Sequence, residues 1–247
     1  MIILNLIEAL KVLATAQYGK SNMKTNIKTM NNRSNSWMSF SKYTALILAL
    51  AALLTACAKP ATIRFYTLTS QTQNQPAGVS NTTPIAIEVL PVRVPERLKR
   101  PQLVITSKNV SQLKILEQDR WSSSFNDELH DAFVGGITNQ LGAIDISSGV
   151  RVANQPTYRI AIILQQFSAT LGEQVQANFA WTITRLNADS KAGDIPSLSC
   201  QSIITKTVSS DINAVVLGIQ EAIADVTKAI SANVSNLNTG RNAICNN

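Results

Sequence analysis

Apolar positions in this chain repeat with period two in some stretches and near 3.6 in others, and the switches between them outline the elements. Residues 63–68 (IRFYTL) read as a strand. Ile85, Ile87 and Val89 alternate with Ala86, Glu88 and Leu90, giving a second. Leu103, Val104 and Ile105 lie on one side of Lys108 and Asn109, and Leu113, Lys114 and Ile115 on the other; this spacing predicts a hairpin. Tyr158, Ile160, Ile162 and Leu164 alternate with Arg159, Ala161, Ile163 and Gln165. Both faces are fairly apolar, which suits a central strand. Val175, Ala177, Phe179, Trp181 and Ile183 alternate with Gln174, Gln176, Asn178, Thr182 and Thr184, the mark of a half-buried strand. Residues 201–208 return as another hairpin arm, after a polar loop over residues 187–198.

Two stretches carry the longer period. Phe125, Leu129, Phe133, Ile137 and Leu141 form one stripe every four residues. Ser124 with Asp127 has the spacing of a capping box, and Gly142 is placed to end the helix. Gly135 and Gly136 weaken its interior and suit close packing on a sheet. The second stripe runs through Ile212, Val215, Val216, Ile219, Ile223, Val226, Ile230, Val234 and Leu237, with Asp211 as its N-cap. Ala222 and Ala229 lie on its flank, where small residues permit close approach to a sheet. Strands, helix, strands, helix predict an α+β two-layer sandwich, its sheet mostly antiparallel or mixed, with two helices on one face.

Residues 1–62 stand apart. The stretch 43–56 is apolar, carries no charge, and follows Lys42. About 14 residues are too few for a bilayer, which needs roughly 20, but they suit the apolar region of a secretory signal. Residues 54–57 read Leu-Thr-Ala-Cys, the pattern of a bacterial lipobox. Resemblance to that class implies a thioether-linked diacylglycerol on Cys57 and cleavage before it. The competing reading is a structural cysteine at the end of a core helix. Buried methylenes contribute about 0.8 kcal/mol each, so two or more acyl chains hold a protein stably on a membrane. The expected division is an upstream extension over 1–37 outside the native start, a signal over 38–56 beginning at Met38, a tether over 57–62, one domain over 63–239, and a tail over 240–247.

Charge looks different once this division is made. The chain has 22 basic and 15 acidic residues, a net of +7. Six of the basic residues and one acidic residue precede Cys57, leaving 16 against 14 after it. A net of +2 over 191 residues is not the balance of a nucleic-acid-binding protein. The basic run Arg93, Arg97, Lys99 and Arg100 invites a lipid-headgroup reading, and equally that of a solvated loop partly neutralised by Glu96.

Candidate chemistry is sparse. His130 is the only histidine, so any Ser/His/Asp triad must use it, and its place beside the apolar stripe reads as helix surface. Trp121 and Trp181 read as core. Cys200 and Cys245 do not have zinc-site spacing. With Cys57 acylated they are an even pair in an oxidising compartment, either bridged or left apart. No enzyme, metal or organic cofactor is read, only covalent lipid on Cys57.

The lipobox, the early FYTL, the stretch PIAIEVLPVRVPERLKRPQLVI and DRWSSSF ahead of a helix together resemble the PqiC family. These are ABC-type transport auxiliary lipoproteins associated with MCE-protein lipid transport. The matching positions are Val89, Val92, Val94, Pro95, Leu98, Arg100, Pro101, Gln102 and Val104, with Trp121 as the aromatic. Arg97 stands where the family often has tyrosine, and Ser122, Ser123 and Ser124 replace its Ala-Glu-Pro. The resemblance implies a non-catalytic lipoprotein on the periplasmic face of the outer membrane, assembled as a homo-oligomeric ring. It would meet an MCE-domain protein and serve phospholipid movement and envelope integrity. The alternative is a lipoprotein that plugs or activates another outer-membrane assembly, a barrel or a synthase.

Overall fold

The computed structural model describes residues 62–69, 85–108, 112–147, 149, 155–186 and 197–245. The chain divides into two compact units after Pro60, and every described residue belongs to the second. The lipobox and the 1–37 and 38–56 divisions lie outside the described residues.

The strands are β1 (Arg64–Tyr66), β2 (Ala86–Val89), β3 (Gln102–Thr106), β4 (Leu113–Trp121), β5 (Ile144–Asp145), β6 (Thr157–Thr170), β7 (Gln174–Arg185) and β8 (Ser197–Thr207). The helices are α1 (Phe125–Leu141) and α2 (Ile212–Asn238), with a short 3-10 turn at Glu96–Leu98. The expected α+β sandwich is present, with its strands shared between two sheets. One has five strands in the order β5-β2-β6-β7-β8, and the other three in the order β1-β4-β3. The large sheet is mixed: β5 and β6 flank β2 in parallel, while β6, β7 and β8 form an antiparallel meander.

Register explains the core. Ile160, Ile162 and Leu164 of β6 stand opposite Ile183, Trp181 and Phe179 of β7. A bulge then intervenes between Leu164 and Gln166, and Phe167 and Ala169 stand opposite Ala177 and Val175. The extra residue switches parity, so an even-numbered apolar set continues as an odd-numbered one on the same face. Both helices cover that face. Phe133 of α1 meets Phe179 edge-on at 5.5 Å, and Gly218 of α2 lies over Val175. Trp121 stacks on Phe125 at 5.3 Å, and Phe125 meets Phe167 tilted at 5.4 Å, joining small sheet, α1 and large sheet. Trp121 and Trp181 are both buried.

Helix ends and approaches follow local chemistry. Gly142 adopts φ 59° at the end of α1, where a left-handed residue closes the last carbonyls. Asp211 caps α2 by accepting the Asn213 N–H at 3.1 Å. The 27 residues of α2 make it about 40 Å long. It packs closely at Gly218, where a Cβ would stand 2.6 Å from Cγ1 of Val208 and 3.5 Å from Cγ2 of Val175 in β7.

Several local expectations are corrected. Ser124 makes no side-chain cap to a backbone N–H; its hydroxyl turns to the side chains of Asn126 and Asp127. The polar residues 117–120 continue β4 as far as Trp121. Residues 93–101 form more than a solvated loop, because Val92, Val94 and Leu98 are buried and Arg93 bridges to Ile163. Ser197 and Leu198 belong to β8. His130 is only partly exposed; its Nε2 lies 3.2 Å from the Val89 carbonyl, tying α1 to β2.

Candidate anchoring and docking surface

The chain enters the domain through β1, so what holds β1 fixes that entry. The strand has only three residues and pairs with β4 in parallel: Arg64 with Asp119, Phe65 with Arg120, Tyr66 with Trp121. Side chains supply what so short a ladder lacks. Arg64 Nη2 lies 2.7 Å from the buried Asp119 carboxylate, and the Tyr66 hydroxyl donates to the same oxygen at 3.1 Å. The hydrogen bond with Asp119 and then its charge raise the pKa of Arg64. Burial first, and then the bond to Asp119, raise that of Tyr66.

Just beyond β1, Glu128 makes the firmer connection. This carboxylate in the first turns of α1 is 5% exposed. Its Oε2 accepts the Leu68 N–H and the Thr67 hydroxyl, both at 2.9 Å. Its Oε1 accepts the Ser123 N–H at 3.2 Å and the Ser123 hydroxyl at 3.1 Å. Four donors around one buried carboxylate offset its desolvation and fix the segment to the helix. Gln220 of α2 adds a bond to the Thr67 carbonyl at 3.1 Å, and Ser122 donates N–H and hydroxyl to the Tyr66 carbonyl at 2.8 and 2.9 Å. Sequence reasoning missed Glu128 and Asp119; neither carries a local signal of burial.

The other end of the chain is held by sulfur. Cys200, buried on β8, is joined to Cys245 in a disulfide with Cα atoms 5.4 Å apart. Asn233 of α2 donates to the Cys200 sulfur at 3.6 Å. The residues after α2 are thereby returned to β8, an edge strand of the large sheet. Cys57 is outside the described residues.

Two concavities lie among the described residues. The crevice between the sheets, lined by Leu98, Leu103, Trp121, Phe125, Phe167 and Ile219 among others, has room for about 10 Å³. That is about one water and far below the 300–1,000 Å³ of ligand pockets. On the opposite face of the large sheet, Arg97, Gln166, Ser168, Gln176, Asn178 and Ile203 border an open groove of about 310 Å³. Its polar lining is amides, one hydroxyl and one guanidinium, a surface for contact with no nucleophile–base pair. Among the described residues no group of His, Cys, Asp or Glu is placed to hold a metal, and no helix is long and apolar enough to cross a membrane.

A family model described as "ABC-type transport auxiliary lipoprotein component" matches residues 66–231, which span β1 to α2. A comparison with curated proteins returns no match. Among solved structures, one described only as an uncharacterized protein is similar at TM-score 0.52 and 17% identity. The alignment covers 69% of this chain and 97% of that one. A protein from Xanthomonas campestris is similar at TM-score 0.48 and 15% identity, covering 72% and 98%. At such identities the first likeness concerns the fold alone.

Proposed function

Because the chain belongs to the family of ABC-type transport auxiliary lipoprotein components, we propose that it is the outer-membrane-anchored, non-catalytic subunit of an MCE-type intermembrane phospholipid transporter. The match over residues 66–231 carries this reading. Acylated Cys57 holds the protein on the periplasmic face. Ala58 and Lys59 follow it, without the aspartate that favours retention at the inner membrane. The crevice of about 10 Å³ between the sheets is too small for an acyl chain, which supports a scaffold over a carrier. A homo-oligomeric ring around an MCE tunnel would put lipid passage between subunits. A standard specific interface of roughly 1,200–2,000 Å² is within reach of sheet edges such as β8 and of residues 93–101.

The test is affinity capture of the detergent-solubilised protein from its native envelope, followed by identification of what accompanies it. An MCE-domain protein and an ABC transporter are expected. Consistent recovery of only a barrel or a peptidoglycan synthase would favour the plug-or-activator reading instead.

A further inference from the structure

Among the described residues eight large hydrophobics are conspicuously exposed, and four belong to the small sheet and its lead-in: Ile63 (45%), Phe65 (66%), Leu113 (42%) and Ile115 (41%). They share a face. Leu103 and Trp121 point into the core, so their chain neighbours Gln102, Val104 and Arg120 point outward. Ile115 stands opposite Val104, Leu113 opposite Thr106, and Phe65 opposite Arg120. The small sheet therefore turns an apolar side away from the core, about 23 Å long from Leu113 to Arg120. Arg120 lies along it, a cation of the kind that phosphate headgroups attract, with the Glu117 carboxylate 3.7 Å from its guanidinium.

Chain direction indicates what covers this face. Since β1 is parallel to β4, it enters the sheet from the end that carries Leu113 and Ile115. Cys57 precedes Phe65 by eight residues, a span of at most about 28 Å. The bonds from Asp119 and Glu128 fix β1 and Leu68 to the body, so no slack downstream of Arg64 lets the domain turn away. We propose that the outward face of the small sheet, through Phe65, Leu113 and Ile115, lies in the headgroup region of the leaflet that holds the acyl anchor. This rests on the reading of Cys57 as lipidated. The domain is then a two-point membrane binder of fixed orientation, and the large sheet's groove by Arg97 and Ile203 is left to the aqueous side.

The full-length acylated protein, reconstituted in phosphatidylethanolamine/phosphatidylglycerol vesicles, is the sample. Single variants Phe65→Cys, Ile115→Cys and Ile203→Cys are spin-labelled without reductant, and collisions with oxygen and with a water-soluble nickel chelate are measured. Labels at 65 and 115 should lose nickel access about tenfold and gain oxygen access, as at a site 5–10 Å into the headgroup–acyl boundary. The label at 203 should stay in water. Two positions on separate strands keep the outcome independent of one poorly folded variant. If the protein floats with vesicles while 65 and 115 remain as water-exposed as 203, the docking face is overturned and the anchor stands. Shielding from both reagents with spin–spin broadening would assign the face to a second copy and overturn it too. A chain that does not float overturns the anchor reading and the proposal with it.

Discussion

The Leu68 N–H reaches the Glu128 carboxylate at 2.9 Å across sixty positions of sequence. Truncating Glu128 strands that buried donor together with those of Thr67 and Ser123. An unsatisfied buried donor costs about 1–3 kcal/mol, so Glu128→Ala is expected to destabilise by about 3 kcal/mol in total. For a domain of this size that lowers Tm by roughly 6–12 °C. Glu128→Gln keeps one acceptor but turns an NH2 towards a donor, and should fall between. Thermal melts of the three proteins check it; a wild-type Tm for Glu128→Ala would refute the clamp.

Gly218→Ala should destabilise although alanine favours helix. The added Cβ meets Val208 Cγ1 at 2.6 Å, and overpacking costs about 1–3 kcal/mol against a propensity gain of about 1. Adding Val208→Ala makes room, so the double variant should recover part of the loss. Additive destabilisation in a double-mutant cycle would show that the contact is not the cause.

Cys245→Ser opens the 200–245 bridge and should cost about 2–4 kcal/mol, with reductant lowering the Tm of the wild type to match. Mass spectrometry of unreduced protein gives the direct check. Two free thiols would end this prediction.

Alkaline stability should depend on Tyr158. Burial raises its pKa, partly countered by Arg185, and its hydroxyl donates to Asn238 at 3.3 Å. Above the ordinary tyrosine pKa near 10 the unfolded chain releases this proton and the folded chain keeps it. Unfolding then releases a proton, and stability falls as pH rises between the unfolded and the raised folded pKa. Tyr158→Phe should flatten that decline from pH 9 upward. Identical pH profiles for the two proteins would contradict it.

Cys57→Ala should release a folded domain from the membrane fraction, because no described core contact involves the anchor. Circular dichroism is expected to match wild type while envelope-stress sensitivity matches a deletion. Cys57→Ala sedimenting with outer membranes as wild type does would remove lipidation from the account.

Elements set by their own period were legible in the sequence. The stripe from Val215 to Val234 and the alternation from Val175 to Ile183 each declare a buried face without reference to a partner, and both are buried as expected. What depends on a partner was not. The parity switch after Leu164 is visible only against β7. Residues 117–120 are polar, and Asp119 and Arg120 among them pair with β1 and β3, a pairing no local period announces. Ser124 and Asp127 had cap spacing, yet the carboxylate that collects backbone donors is Glu128, one position on, and most of its partners come from before the helix. The candidate surface was missed for the same reason, since Phe65 and Ile115 read as ordinary strand residues until the register puts both outside.

The parallel entry of β1 also sets how the domain bears load. Tension directed along the chain upstream of Arg64 pulls β1 lengthwise past β4, which stresses its ladder bonds, the Arg64–Asp119 pair and the Ser122 contacts together. A load on the chain upstream of Arg64 is thus taken in shear, and Glu128 stands behind the grip as its stop.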